Sequence, residues 1–309
     1  MTPASQGHTS AVSVCAVIVT HRPDVTLLRR AVAAISRQVG GLVLVDNATR
    51  CDAFEALVAE LTSDGGRVLR NPGNLGLAAG FNAGIGAARE AGFSHVLLLD
   101  QDSVAEPSMV EALLDGLASL SRQQKVAAVG AQFVDPRNGV VGPFVRIGFP
   151  FNRKLPGGPG ERVRCDFLIS SGSLVPLDVI DDVGAMDEAL FIDNVDMDWS
   201  FRARHLGYQL YGVCDARMQH SIGDALRPSR FRRRGVFIHS PLRLYYLTRN
   251  RLLLYRRPHT PAKWVAQDLP RLAGKFMRMA LLIPPRGENA RAMLHGIRDG
   301  LVGRSGPRP

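Results

Sequence analysis

The first hundred residues alternate short, β-branched apolar runs with stretches whose apolar positions recur at helical spacing. Residues 12–20 (VSVCAVIVT) read as a buried strand, because an apolar run without polar alternation suits a strand covered on both faces. A helix is predicted over 24–38, where Leu27, Leu28, Val32 and Ile35 share one face, followed by a strand at 41–46 and a helix at 52–61. A short strand at 67–70 runs into the glycine-rich stretch NPGNLGLAAGFNAGIGAARE and a helix ending near Gly92; residues 95–100 (HVLLLD) give a fourth strand. This βα alternation predicts a parallel sheet with helices on both faces. Further on, 107–120 reads as helix and 126–133 as strand. Residues 135–162, rich in Pro, Gly, Asn and Arg, read as loops lining a cleft. Regular structure is expected again at 165–175, in a short helix at 177–183, in a helix through VDMDWSFRARHLG and in a strand through YQLYGVCDA. From Leu226 onward the chain reads as helical, most clearly at 242–257 and 263–283.

Composition narrows the class. A chain of 309 residues, 46% hydrophobic and 21% charged, buries a large core and is neither disordered nor fibrous. No window approaches the roughly 18–20 consecutive apolar residues of a membrane span. The short polar start, Met1 to Ser10, lacks the regions of a signal peptide, so a reducing cytoplasm is expected. Cys15, Cys51, Cys165 and Cys214 show no CxxC spacing and read as small buried thiols rather than a zinc site or disulfide frame.

Charge is divided unevenly. Residues 1–224 carry 19 Lys and Arg against 25 Asp and Glu, whereas 225–309 carry 19 against 3. The division suggests one α/β domain over 1–224 and a basic helical region over 225–309. Such a tail calls for an anionic partner: nucleic acid, phospholipid or a phosphorylated substrate. Aromatic residues are only 6% and no nucleic-acid-binding module is legible, so nucleic acid is not expected.

Ligands of open parallel sheets bind at the carboxyl edge, so residues just after each strand are examined first. Asp46 ends one strand, either as a turn former, as a cap for the helix at Asp52, or as acceptor for a pyrimidine imide N–H. Asp100 and Asp102 end another; either the two carboxylates at this spacing converge on one hard cation, or Asp102 or Ser103 caps the next helix. No GxGxxG follows the first strand, which excludes a dinucleotide fingerprint. Asn74, Gly76 and Gly80 either let backbone approach a ligand or permit close helix packing. The segment FIDNVDMDWSFR holds Asp193, Asp196 and Asp198 near a helix start; one acid suffices for capping, so another is expected to face the cleft as a general base, with Arg202 pairing to Asp198. His220 is either structural or a third ligand for the cation.

In order and spacing, AVIVTHRPD, LVDNAT, NPGNLGLAAGFNAGI, LLLDQDS, FIDNVDMDWSFRARHLGY, LYGVCDARMQHSIGD and RLYYLTRNRLLLYRR resemble the family 2 glycosyltransferases, and among them bacterial rhamnosyltransferases using dTDP-L-rhamnose. The resemblance implies a GT-A fold, with Thr20 and Asp46 around the nucleotide base and Asn74 and Gly76 closing the donor site. It implies Asp100 and Asp102 as the metal-binding DxD, with Mg²⁺ or Mn²⁺ as cofactor and His220 near the diphosphate. Anchoring the family's base motif on Trp199 and Arg202 makes Asp196 the base, while an alignment shifted by two would promote Asp193; Val195 stands where an acid is usual. The implied reaction is an inverting transfer, and the implied acceptor is a saccharide, often lipid-linked, met at an anionic membrane surface. UDP-galactofuranose or UDP-glucose is the alternative donor, and an oligomer is compatible with the sequence.

Overall fold

In the computed structural model, residues 13–221, 225–229 and 232–308 are described. The strands are β1 (Val14–Thr20), β2 (Gly41–Asn47), β3 (Arg67–Asn71), β4 (His95–Asp100), β5 (Val104–Ala105), β6 (Val126–Asp135), β7 (Val140–Val141), β8 (Phe144–Arg146), β9 (Arg153–Leu155), β10 (Arg162–Cys165), β11 (Ser173–Pro176), β12 (Gln209–Gln219), β13 (Ala225–Ser229) and β14 (Arg232–Ile238). The helices are α1 (Val25–Ser36), α2 (Asp52–Ser63), α3 (Leu77–Glu90), α4 (Met109–Ser121), α5 (Leu177–Val183), α6 (Val195–His205), α7 (Pro241–Tyr255), α8 (Ala262–Leu281) and α9 (Arg286–Leu301).

The main sheet runs β10-β12-β6-β11-β4-β1-β2-β3. Strands β4, β1, β2 and β3 are mutually parallel, β12 is parallel to β6, and β11 and β10 are the antiparallel members. Every residue of β1 is buried. Its alternate side chains feed two different cores: Cys15, Val17 and Val19 on one face, Val14, Ala16 and Ile18 on the other. Helix α3 approaches β1 closely because Gly80 carries no side chain; a Cβ there would meet Val19 Cγ1 at 2.6 Å. Gly80 therefore serves packing.

Three expectations change. Residues 165–175 do not form one strand: β10 stops at Cys165 and β11 starts at Ser173, with a turn between them through Ser170, Ser171 and a left-handed Gly172. The Ser-Ser-Gly run is itself a turn signal, and the turn carries Ser171 beneath β4. The stretch 135–162 is mostly loop, as expected, but includes β7 on β6 and a β8–β9 pair. Residues 225–229 and 232–238 form the antiparallel β13–β14 pair, not a helix; the run Val236-Phe237-Ile238 favours strand. The expected domain division at residue 224 and the first residue expected for the opening strand, Val12, lie outside the described residues, as does the short polar start. Cys15, Cys165 and Cys214 are buried as expected, burial pushing the Cys165 thiol up to about 12, but Cys51 is exposed at the start of α2.

The C-terminal helices pack back onto the sheet domain. Leu254 and Trp264 belong to the same apolar cluster as Val17 and Trp199. Much of the basic charge beyond residue 225 points inward. Arg243 pairs with Asp193, Arg257 with Asp187 and Asp198, and Arg249 is fully buried. The acidic body is thus one anionic partner of the basic tail, a possibility that residue counts do not reveal. No helix among the described residues is long and apolar enough to cross a membrane.

Candidate active site at the carboxyl edge of the sheet

Val19 pairs with Asp100 across β1 and β4, and Thr20 pairs with Asp46 across β1 and β2, so the acids expected from the sequence share one sheet edge. Asp46 is buried. Its Oδ1 accepts from the Thr20 hydroxyl at 2.9 Å and its Oδ2 from the Thr49 backbone N–H at 2.9 Å. It therefore shapes the turn after β2 and does not cap α2, which has no side-chain cap. Across the edge, Asn74 accepts from the Gly76 N–H at 3.0 Å, and Gly76 sits at φ +93° against the Phe191 carbonyl, where a Cβ would come within 2.6 Å. That position needs glycine.

Asp100, Asp102 and His220 form the centre. Their ligand atoms all lie within 4.8 Å of one another. His220 Nδ1 is 3.3 Å from Asp102 Oδ1, and Nε2 is 3.9 Å from Asp100 Oδ2. A hydroxyl chain supports the group: Ser103 Oγ meets His220 Nδ1 at 2.9 Å, Ser171 donates to Ser103 Oγ at 2.6 Å, and the Asp100 N–H donates to Ser171 Oγ at 3.1 Å. Ser103 is thereby engaged with His220 rather than capping α4. Burial, then the charges of Asp102 and Asp193, raise the Asp100 carboxyl, against the pull of His220 and Arg243. Burial opposes charging of His220, but its bond to Asp102 and the charges of Asp100, Asp102 and Asp135 outweigh it and raise the ring. Carboxylates crowded around one imidazole repel one another, and a dication relieves that repulsion. The two carboxylates also suit Mg²⁺ or Mn²⁺ by donor type. The residues fit a divalent cation.

The loop into α6 supplies the other acids. Phe191, Asp193 and Asn194 all have φ near +65°, a conformation costly for residues with a Cβ and sustained only by surrounding contacts. Those contacts come from α3 and α7. The Leu77 N–H donates to Phe191 O at 2.7 Å. Asn250 Nδ2 reaches Leu190 O at 2.9 Å and Ile192 O and Asp193 O at 2.8 Å each, while Arg249 Nη2 donates to Leu190 O at 3.1 Å. Neither Arg249 nor Asn250 stood out in the sequence, because a basic residue and an amide on a helix ordinarily read as a solvated face. The RLYYLTRN string was their one signal.

The three acids of this segment have separate environments. Asp193 is held by Arg243 Nη2 at 2.6 Å. Asp198 is fully buried, bound by Arg202 Nε at 3.0 Å, Arg257 Nη1 at 2.5 Å and His259 Nε2 at 2.8 Å. Although burial acts against it, the Arg257 and Arg202 charges hold its carboxyl below the usual range. Arg202 also donates to the Val183 and Ala185 carbonyls, and Trp199 Nε1 to Gly184 O at 2.9 Å, so both tie α6 to the segment after α5. Among the described residues Asp196 makes no ion pair. It accepts from its neighbour's N–H, Met197, at 2.8 Å and borders a small apolar pocket with Leu168, Ile169, Met186 and Trp199. Burial, reinforced by Asp100 and Asp193, pushes it up to about 6. A largely buried carboxyl of that basicity, electrostatically coupled to the Asp100 group, can take a proton from a hydroxyl near neutral pH.

Residues 15–168 match the family described as Glycosyl transferase family 2. Over a longer span, the chain is 30% identical to the dTDP-rhamnosyl transferase RfbF of Shigella flexneri across 251 residues, 81% of this chain and 82% of that one. The chain belongs to glycosyltransferase family 2. It is a glycosyltransferase. An uncharacterized protein of Mycobacterium tuberculosis, Rv1525, is 32% identical over 61% of this chain and 67% of its own length. Among solved structures, GalNAc-T7 with UDP, GalNAc and Mn²⁺ superposes with a TM-score of 0.60 at 15% identity, covering 95% of this chain and 56% of that chain. S. aureus TarS gives 0.58 at 12% identity, covering 94% and 49%. The chain thus spans about half the length of these two structures, which share its GT-A fold.

Proposed function

We propose that this glycosyltransferase moves L-rhamnose from dTDP-L-rhamnose to a saccharide hydroxyl, with inversion, on an acceptor carried by a lipid in cell-surface polysaccharide synthesis. The observation that carries the reading is the Asp100–Asp102–His220 group coupled to a raised, uncompensated Asp196. Kinship with a protein named as a dTDP-rhamnosyl transferase supports the donor. The thymine lies at the ends of β1 and β2 by Thr20 and Asp46, and the turn through Asn74 and Gly76 closes over the donor. Asp100, Asp102 and His220 hold Mg²⁺ or Mn²⁺. When bound, that cation stabilises negative charge on the departing diphosphate. Asp196 takes the proton of the acceptor hydroxyl as its oxygen bonds to the anomeric carbon; the bond to the diphosphate oxygen breaks and dTDP leaves with the electron pair. Asp193, ion-paired to Arg243, shapes the loop that presents Asp196, while Asp198, Trp199 and Arg202 fix the helix behind it. A panel of nucleotide sugars tests this: with Mn²⁺, dTDP-L-rhamnose is expected to raise the melting temperature most, and a larger shift with UDP-galactofuranose or UDP-glucose reassigns the donor.

The reaction belongs at the inner, cytoplasmic face of the membrane, on an anionic lipid surface. Helix α7 is not the contact face, since Leu244, Tyr245, Tyr246 and Leu254 are buried. Exposed apolar side chains instead mark α8 and α9: Leu269, Met277, Leu281, Leu282 and Leu294, near exposed Lys263, Arg271, Arg286 and Arg291. Apolar groups flanked by cations suit an anionic interface, where each Lys or Arg contributes about 1 kcal/mol. The protein is expected to co-sediment with phosphatidylglycerol vesicles and not with phosphatidylcholine, to be released by high salt, and to lose binding in Leu281→Asp/Leu282→Asp. Equal recovery with both lipids, or none with either, overturns the membrane role.

A further inference from the structure

Four basic side chains of α7 and α8 gather beside the loop that carries Asp193 and Asp196. Leu244 of α7 packs with Leu272 and Met279 of α8, which fixes the two helices against each other. Arg243 precedes Leu244, and Lys275 and Arg278 lie on the turns between Leu272 and Met279. Arg251, two turns along α7, reaches Asp268 of α8 at 3.3 Å. Asp193 lies within reach of this group, bound to Arg243 at 2.6 Å, and its backbone carbonyl is held by Asn250. Lys275 is half-buried in the cluster. Burial and then the charges of Arg251, Arg278 and Arg243 push its ammonium down to about 7, Asp193 offsetting only part of this.

We propose that Arg243, Arg251, Lys275 and Arg278 form a seat for a phosphate or diphosphate group, and that the group is the one on the acceptor. The inference rests on the reading of the chain as a transferase to a lipid-linked saccharide. Two sources offer the same chemistry, the donor's diphosphate and the acceptor's. Two observations favour the acceptor. First, the cluster flanks the base loop, whereas the donor diphosphate has its own centre at Asp100, Asp102 and His220. Second, Leu282, one turn beyond Arg278 at the end of α8, is 66% exposed. An anion joined to an apolar chain that stays in the lipid would place its phosphate among the cations, its chain along this face and its sugar hydroxyl before Asp196. Guanidinium and ammonium groups bind phosphate through charge-assisted hydrogen bonds, which are the strong ones.

The test uses the full chain. Wild type, Lys275→Met and Lys275→Arg are floated with phosphatidylcholine vesicles, plain or doped with a polyprenyl diphosphate, and titrated with dTDP and Mn²⁺ by calorimetry. Expected is doped-vesicle binding by the wild type, a loss of about tenfold in Lys275→Met, retention in Lys275→Arg, and unchanged dTDP affinity in all three, which also reports that the variants fold. Equal wild-type binding to plain and doped vesicles overturns the seat, as does undiminished binding by Lys275→Met. A parallel fall in dTDP affinity overturns the acceptor assignment and gives the cations to the donor. A wild type that holds doped vesicles yet ignores dTDP sinks the donor reading while supporting the phosphate seat.

Discussion

Asp102→Asn is expected to weaken binding of dTDP in the presence of Mn²⁺ by roughly 10²-fold or more and to abolish transfer, with the fold intact. Residues that merely orient a metal's ligands cost about 10–100-fold in metal affinity when removed, and a ligand should cost no less. The physical reason lies in the local charge. Asp100 and Asp102 meet at one imidazole, with Asp196 adding negative charge nearby and Asp193 taken up by Arg243, an arrangement that favours a dication. The Asp102 side chain is about one-third exposed, so the amide is accommodated without a buried unpaired group. Calorimetry with dTDP and Mn²⁺, repeated after EDTA, decides it. The wild type should lose its dTDP signal on chelation, and an Asp102→Asn protein with wild-type affinity would remove Asp102 from the donor site.

The sheet was legible in the sequence because its strands are buried on both faces. A run such as VCAVIVT has only one reading when it recurs between amphipathic helices. The same rule placed Asp46, Asp100 and His220, since a strand's end is visible where apolar residues give way to Asp or His. The loop into α6 was less legible. Three acids within six residues announced chemistry, and the i,i+4 spacing announced the Asp198–Arg202 pair, but nothing in that spacing says that Asp198 also turns inward to Arg257 and His259 while Asp196 borders an apolar pocket. Those partners sit about sixty residues downstream, and long-range ion pairs leave no periodic trace. The basic tail misled for the same reason. Its count of Lys and Arg suggested an outward face, whereas Arg249, Arg243 and Arg257 close the body's own carbonyls and carboxylates. The β13–β14 pair was missed because basic residues obscured a short β-branched run.

Asp196→Asn is expected to reduce transfer by about 10²–10⁴-fold, the usual contribution of a positioned general base, while dTDP binding with Mn²⁺ stays within about twofold of wild type. The contrast with Asp193→Asn carries the argument. Both acids are in the same loop and both couple to Asp100, so sequence register alone does not separate them. Their environments do. Asp193 is engaged by Arg243 at 2.6 Å, so the guanidinium already occupies its carboxylate. Asp196 faces the apolar pocket, and burial raises it to about 6, close to the pH at which it must work. A general base works best when its own pKa lies near the working pH and it remains largely ionised there. Asp193→Asn should consequently lower activity only through the loop, with a smaller loss that falls on KM for the acceptor as well as on kcat. Single-turnover rates for the two variants with bound dTDP-L-rhamnose compare the chemistry directly. A dead Asp193→Asn beside an active Asp196→Asn would transfer the base to Asp193, and Arg243 would then have to release it before each turnover.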